Sequence, residues 1–199
     1  MAQESLYRIA AGAMLLLMVP IGLPYRLRAA RTGEPISRRG EGLVILVGLR
    51  ASAILWGVCV VAWLIDPGLL PGPRLALPEA ARVAGVAFAL SVPPLLAWVF
   101  SSLGMNVTDT VVVRRNATLV TRGPYRWVRH PMYGCVALVF LALALLTASV
   151  LCAALGSLVL AFLALRTPIE EARLVERFGD AYRDYGARTG RFVPRWRLR

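Results

Sequence analysis

Residues 133–165 read YGCVALVFLALALLTASVLCAALGSLVLAFLAL, 33 positions without one charged side chain. A bilayer core about 30 Å thick is crossed by about 20 apolar helical residues. The run is therefore long for one span and slightly short for two ordinary ones. A tight helical hairpin satisfies both facts, with its break near Thr147 to Ser149 or at Gly156. Upstream, Leu6 to Leu23, Leu43 to Ile65 and Ala80 to Phe100 are each long enough for one crossing. The expected fold class is all-α: a polytopic membrane protein of about five transmembrane helices in a single domain, 1–199. Three spans occupy 1–103, and the second half, 104–199, is built around the hairpin 133–165.

Composition agrees, since 58% of the 199 residues are hydrophobic, too many for an ordinary soluble domain. All 23 basic residues are Arg, against 11 acids. Spread over a soluble surface, that excess would suggest nucleic-acid binding. Instead, 19 of them cluster in three groups beside apolar runs: Arg26 to Arg39, Arg114 to Arg129 and Arg166 to Arg199. This is the positive-inside pattern. It places those groups in the cytosol, the N-terminus and the Pro- and Gly-bearing loop Asp66 to Pro78 outside, and the C-terminus inside. The partner expected from this is the lipid bilayer, with no nucleic acid and no obligate protein partner. A bacterial inner membrane is the expected location. The first apolar run has no basic start and no small-residue cleavage signature, so it reads as a retained span. Cys59, Cys135 and Cys152 fall inside apolar stretches without paired spacing and read as packing residues.

After the hairpin the chain changes character. Pro168 is suited to begin a helix, and Glu170, Glu171, Leu174, Val175 and Phe178 follow at helical spacings until Gly179 interrupts. The expectation is a C-terminal amphipathic cytosolic helix. Thr189, Gly190 and Pro194 then mark a turn into a basic tail suited to anionic headgroups.

Polar groups at a membrane boundary are expensive and usually have a task. They are densest in residues 118–133, TLVTRGPYRWVRHPMY. Gly123-Pro124 forces a turn, Tyr125, Trp127 and Tyr133 can stack on a flat ring, and Arg129 with His130 can meet an anion. The stretch reads as a ligand loop, although aromatic belts also occupy membrane interfaces. His130, the single histidine, fits either a ligand contact or a plain interfacial position, and alone it cannot make a metal site. The second candidate is residues 166–171, RTPIEE. Arg166 and Glu170 share one face if helix continues past Pro168. Glu171 fits a helix-capping role as well as a chemical one, so Glu170 is the stronger candidate.

Together these motifs carry a resemblance. The core G-x-Y-x-x-x-R-H-P-x-Y, the hairpin, R-x-x-x-E-E, then F-G-D-x-Y-x-x-Y and a final R-x-x-P resemble the isoprenylcysteine carboxyl methyltransferase family and its prokaryotic relatives, from about Asn106 to Trp196. The resemblance implies a metal-free pocket for S-adenosylmethionine (SAM), giving S-adenosylhomocysteine as product. Its lining would be Ala117, Thr118, Leu119, Val120, Tyr125, Arg129, His130, Pro131, Met132 and Tyr133, closed by Glu170. Arg166 would face the methyl acceptor, which makes Arg166 and Glu170 the implied catalytic pair. The chain departs from the family's eukaryotic pattern at Ala117 and Thr110, where two polar contacts to the cofactor are replaced. The first hundred residues resemble the family only as apolar spans, so the acceptor does not carry over.

The implied reaction is methyl transfer to a lipophilic or membrane-associated acceptor. In-line displacement depends on alignment more than on a strong base, which favours a carboxylate or another pre-ionised acceptor. Phospholipid or small-thiol methylation in the same pocket is the alternative within the class. An NADPH-dependent membrane reductase of the sterol-reductase type is the alternative outside it, with Arg114, Arg115 and Arg122 available for phosphates. A scaffold whose Arg residues only set topology leaves the combined motifs unexplained.

Overall fold

A computed structural model describes residues 2–30, 42–104 and 118–195. Asn106, Thr110, Ala117, Trp196 and the arginines 31, 38, 39, 114, 115, 197 and 199 lie outside the described residues.

Five apolar helices run alternately up and down: α1 (Ala2–Ala30), α2 (Leu43–Ile65), α3 (Glu79–Leu103), α4 (Pro131–Thr147) and α5 (Val150–Phe178). A short helix, α6 (Asp180–Arg188), follows. Four of the five long elements have the length and apolarity to cross a bilayer, and α4, with 17 residues, is shorter. At about 1.5 Å per residue α4 spans about 25 Å, slightly less than a hydrocarbon core. The expected all-α membrane architecture is observed, and α2 has the bounds read from its apolar run.

The hairpin breaks where the run was weakest. Thr147-Ala148-Ser149 contains the one left-handed non-glycine residue among those described, Ala148 (φ 47°), and the Ser149 side chain accepts from the Cys152 amide at 3.3 Å to start α5. Gly156, the other candidate break, instead lies inside α5 against Phe140 of α4, 3.2 Å from where a Cβ would stand. Helices in lipid gain little from hydrophobic exclusion, so small residues that permit close approach hold them together. Gly48 on α2 against Phe162 on α5 and Gly85 on α3 against Leu145 on α4 serve the same purpose. The main packing partners are α3 with α4, α1 with α3, and α2 with α5. Tyr7, Met14, Trp63, Val92, Leu143 and Leu146 form the centre of the core.

The structure corrects one expectation. Pro168 does not begin a new helix: α5 runs through it without interruption to Phe178. A proline removes one amide donor, here the one that would meet the Ala164 carbonyl, and the neighbouring Thr167 hydroxyl donates to the Leu163 carbonyl at 2.8 Å in the same turn; local adjustments of this kind let helices in membranes carry a proline. The described part of the basic tail folds back onto the molecule. Gly190 forms a parallel bridge with Val128, and Arg195 donates to the Ala187 carbonyl of α6 at 2.8 Å.

Candidate active site

The site is built at the basic end, where the loop before α4 meets the far end of α5. About 20 residues of α5 fill a bilayer core, which sets Arg166 and Glu170 at its boundary and leaves the last turns projecting beyond. The loop is fixed against α3 by Gly123. Its φ of +59° suits glycine, and an added Cβ would stand 2.1 Å from the Ser102 Oγ. A 3₁₀ turn, Gly123–Arg126, then buries Pro124 and Tyr125. Tyr125 packs with Leu96, Val99 and Phe100 of α3, and Val120 and Met132 join the same cluster.

The chain then turns into α4 with Pro131 at its first position, a place where the missing amide costs nothing. His130 is 6% exposed, and its ring stacks on Tyr133 at 5.3 Å between centroids. The Tyr133 hydroxyl donates to the Glu170 Oε2 at 2.7 Å, which joins the loop to α5. Arg166, also buried, lies one turn before Glu170 on that helix. Phe192 tilts against both rings, 5.8 Å from His130 and 6.3 Å from Tyr133.

Glu171 organises a second layer. Its Oε1 accepts from the Arg129 Nε at 2.8 Å and lies 3.3 Å from the His130 Nε2, while its Oε2 accepts from the Arg191 Nη2 at 2.5 Å. In the tautomer with the proton on Nε2, His130 donates to Glu171 without carrying charge. Burial pushes the His130 pKa below 6.5, and Glu170 and Glu171 only partly oppose this. Arg129 also donates from Nη1 to the carbonyls of Gly186 at 2.6 Å and Thr189 at 2.8 Å, the C-terminal end of α6. Arg129 N and His130 N donate to the carbonyls of Gly190 and Arg191 at 2.9 and 3.1 Å, and Gly190 N to Trp127 O at 3.1 Å. The segment after α6 is thereby strapped to the loop.

Of the residues singled out in the sequence, Tyr133, His130 and Glu170 meet in one cluster. Burial raises the Tyr125 phenol, and nearby Tyr185 and Glu170 add to the effect, so its hydroxyl lies in the same electrostatic neighbourhood. Pro131 shapes the entrance to α4, and Met132 and Val120 face α3. Thr118 is exposed and Leu119 half-buried in the extended segment before the turn. Arg129 is engaged by Glu171 and two carbonyls. Sequence reasoning missed Glu171 as an organiser, and it gave no role to Tyr182, Tyr185, Arg191 or Phe192. The signal for the tyrosines was present in the F-G-D-x-Y-x-x-Y spacing, which puts both on one face of α6, where they are buried.

Residues 85–176 match the isoprenylcysteine carboxyl methyltransferase (ICMT) family. Among curated proteins, the chain is 35% identical over 85 residues to the nickel-cobalt-cadmium resistance protein NccN of Alcaligenes xylosoxydans xylosoxydans, covering 43% of this chain and 40% of that one. It is 36% identical over 85 residues to the cobalt-zinc-cadmium resistance protein CzcN of Cupriavidus metallidurans, covering 43% and 39%. It is 38% identical over 60 residues to the uncharacterized protein YpbQ of Bacillus subtilis, covering 30% and 36%. Each match thus spans about two-fifths or less of the relative's length.

Proposed function

From the match of residues 85–176 to the isoprenylcysteine carboxyl methyltransferase family, we propose that this chain is a membrane methyltransferase of that kind, using S-adenosylmethionine at the cluster of His130, Tyr133 and Glu170. The observation that carries this reading is the Tyr133–Glu170 hydrogen bond. It closes the loop and the far end of α5 around one carboxylate, beside stacked rings and a buried arginine.

The donor set suits the cofactor. Glu170 offers an anion for a sulfonium or ammonium, His130 and Tyr125 offer polar contacts, and the Tyr133 and Phe192 rings offer faces for a purine. Bound there, SAM supplies a methyl group on a cationic sulfur that a nucleophile can displace in line. The protein's part is alignment and exclusion of water. Tyr133 fixes the Glu170 carboxylate, Glu171 fixes the orientation of His130, and the strap carrying Phe192 covers the rings. Arg166, buried one turn before Glu170 at the end of the span, orients an anionic acceptor such as a carboxylate of a lipophilic molecule. In this reading the basic end faces the cytosol of a bacterial inner membrane, where SAM is made. The names of two relatives concern metal resistance. Among the described residues no group of three or more His, Cys, Asp or Glu is placed to hold a metal ion.

Calorimetry on the purified protein in detergent tests the proposal. SAM or S-adenosylhomocysteine should bind without added metal and NADPH should not. A folded sample that binds NADPH and neither adenosyl compound refutes it.

A further inference from the structure

The strap after α6 has a fixed base and a looser tip. At the base, Thr189 is buried and its hydroxyl donates to the Tyr185 carbonyl at 2.7 Å, while Gly190 bonds the loop through both its amide and its carbonyl. The chain then doubles back so closely that a Cβ on Gly190 would stand 1.6 Å from the Val193 carbonyl oxygen. Arg191 and Phe192 occupy the tip of this turn, and both reach the site. The Arg191 Nη2 meets the Glu171 Oε2 at 2.5 Å, and the Phe192 ring stands 5.8 Å from that of His130 and 6.3 Å from that of Tyr133.

Those distances decide how a ligand enters. Touching rings have centroids about 4.5–7 Å apart, so no third ring fits between Phe192 and the other two. A flat ligand reaches the faces of His130 and Tyr133 on this side only by displacing Phe192. His130 is 6% exposed, whereas Phe192 is 42% exposed and Val193 beside it is exposed as well. The tip is also the part of the strap that yields most readily. It is held by the bond from the His130 amide to the Arg191 carbonyl at 3.1 Å, by the two ring contacts, and by an ion pair whose Arg191 side chain is 45% exposed. Exposed pairs contribute little, and segments with few buried contacts open first.

We infer that Arg191–Val193 is a lid over the cofactor cluster: Phe192 swings out to admit and release S-adenosylmethionine and its product, and the Arg191–Glu171 pair is the latch that sets how often it opens. The inference rests on the reading of this cluster as a SAM site and adds the control of cofactor exchange to it.

The test measures association and dissociation rates of S-adenosylhomocysteine by surface plasmon resonance on the full chain in detergent, as wild type, Arg191→Gln and Phe192→Ala, together with each melting temperature. This ligand is a zwitterion without net charge, so salt acts on the latch more than on the encounter. A latch alters both directions together. Arg191→Gln should raise association and dissociation alike by about two- to fivefold and leave the affinity within about twofold. Wild-type rates should climb toward those of Arg191→Gln as salt rises, while the variant's stay flat. Phe192→Ala should speed dissociation about tenfold without slowing association. Unchanged rates in both variants overturn the lid and leave the SAM site standing. Faster dissociation alone in Arg191→Gln makes that residue an ordinary contact, and slower association with a lowered melting temperature makes either residue structural; both results overturn the inference. A folded wild type that does not bind S-adenosylhomocysteine removes the SAM reading and this inference together.

Discussion

Replacing Glu171 by alanine should open the seam between the loop and the strap after α6 while the membrane helices keep their packing. The Arg129 and Glu171 side chains are 11% and 14% exposed, so losing the carboxylate strands a largely buried guanidinium. Removing one partner of a buried pair costs about 3–5 kcal/mol. Two features adjust this. Arg129 keeps the Gly186 and Thr189 carbonyls, which lowers the cost. The Arg191 side chain is 45% exposed, so its separate pair with Glu171 adds about 0–1 kcal/mol. A net loss of about 2–4 kcal/mol follows, or about one and a half to three decades in an opening equilibrium. The amides of Arg129, His130 and Gly190 make the bonds that would break. Hydrogen exchange followed by mass spectrometry in detergent should show them losing about 30- to 700-fold of their protection at the 1.4 kcal/mol per decade conversion. Glu170→Ala should leave them protected, because Glu170 bonds Tyr133 on the other side of the loop. Unchanged protection in Glu171→Ala, or equal loss in both variants, would refute the assignment of Glu171 as the organiser.

Glu170→Gln should weaken SAM binding by roughly ten- to a hundredfold, whereas Arg166→Ala should leave that affinity within a few fold and lower turnover steeply. Parallel losses of melting temperature with unchanged turnover per folded molecule would reduce the two to a structural pair. Since the native state binds a proton at His130 less readily than the unfolded chain does, its contribution to stability is present above pH 6.5 and lost as the pH falls below that value. Melting temperatures between about pH 7.5 and 5 should therefore fall more gently in His130→Gln than in the wild type; identical slopes would show that the ring's burial carries no such cost. Gly123→Ala should displace the loop from α3, since the new Cβ would stand 2.1 Å from the Ser102 Oγ. The edge-on contact of Trp127 with Trp98, 5.6 Å between centroids, gives a fluorescence signal for that displacement, and an unaltered spectrum would show the contact relaxes locally.

How much was legible in the sequence depended on the range of the deciding interaction. The spans were readable because bilayer thickness imposes a length that local composition either meets or fails, and α2 begins and ends where its apolar run does. The hairpin break was readable to within a few residues, since Thr147 to Ser149 are the polar interruption in a long apolar run. Pro168 misled because propensity describes an isolated turn, whereas this turn belongs to a long helix, α5, that continues on both sides of it. The loop and Glu170 announced themselves as polar groups at a membrane boundary. The role of Glu171 was not legible, because Arg129 and His130 are 42 and 41 residues away and Arg191 is 20 residues away across a helix break. Only the folding of the tail back onto the loop makes them neighbours.

The arginines that fall outside the three basic clusters extend the same point to topology. They are Arg8, Arg50, Arg74 and Arg82, and a count of charges alone treats them as exceptions to the positive-inside pattern. Three of them meet the ends of helices. Arg8 donates to the Leu64 and Ile65 carbonyls, the last of α2. Arg74 donates to the Thr147 carbonyl at 3.0 Å and Arg82 to that of Leu146 at 2.6 Å, the last of α4. Helix C-termini carry unpaired carbonyls and a partial negative charge, so a cation there is stabilised without an acidic partner. Glu4 is nonetheless present, bonded to Arg82 at 2.8 Å and to the Trp63 Nε1 at 3.2 Å, which draws the start of α1 into the same layer. Arg50 differs: it is exposed on α2, where its aliphatic stem can lie along apolar surface with the charge turned toward the nearer interface. Positive charge at the end away from the candidate site is therefore largely answered by the ends of α2 and α4. At the site itself, guanidinium groups are matched to carboxylates and to the end of α6. One residue type serves both ends, and the partner it meets separates fold from function.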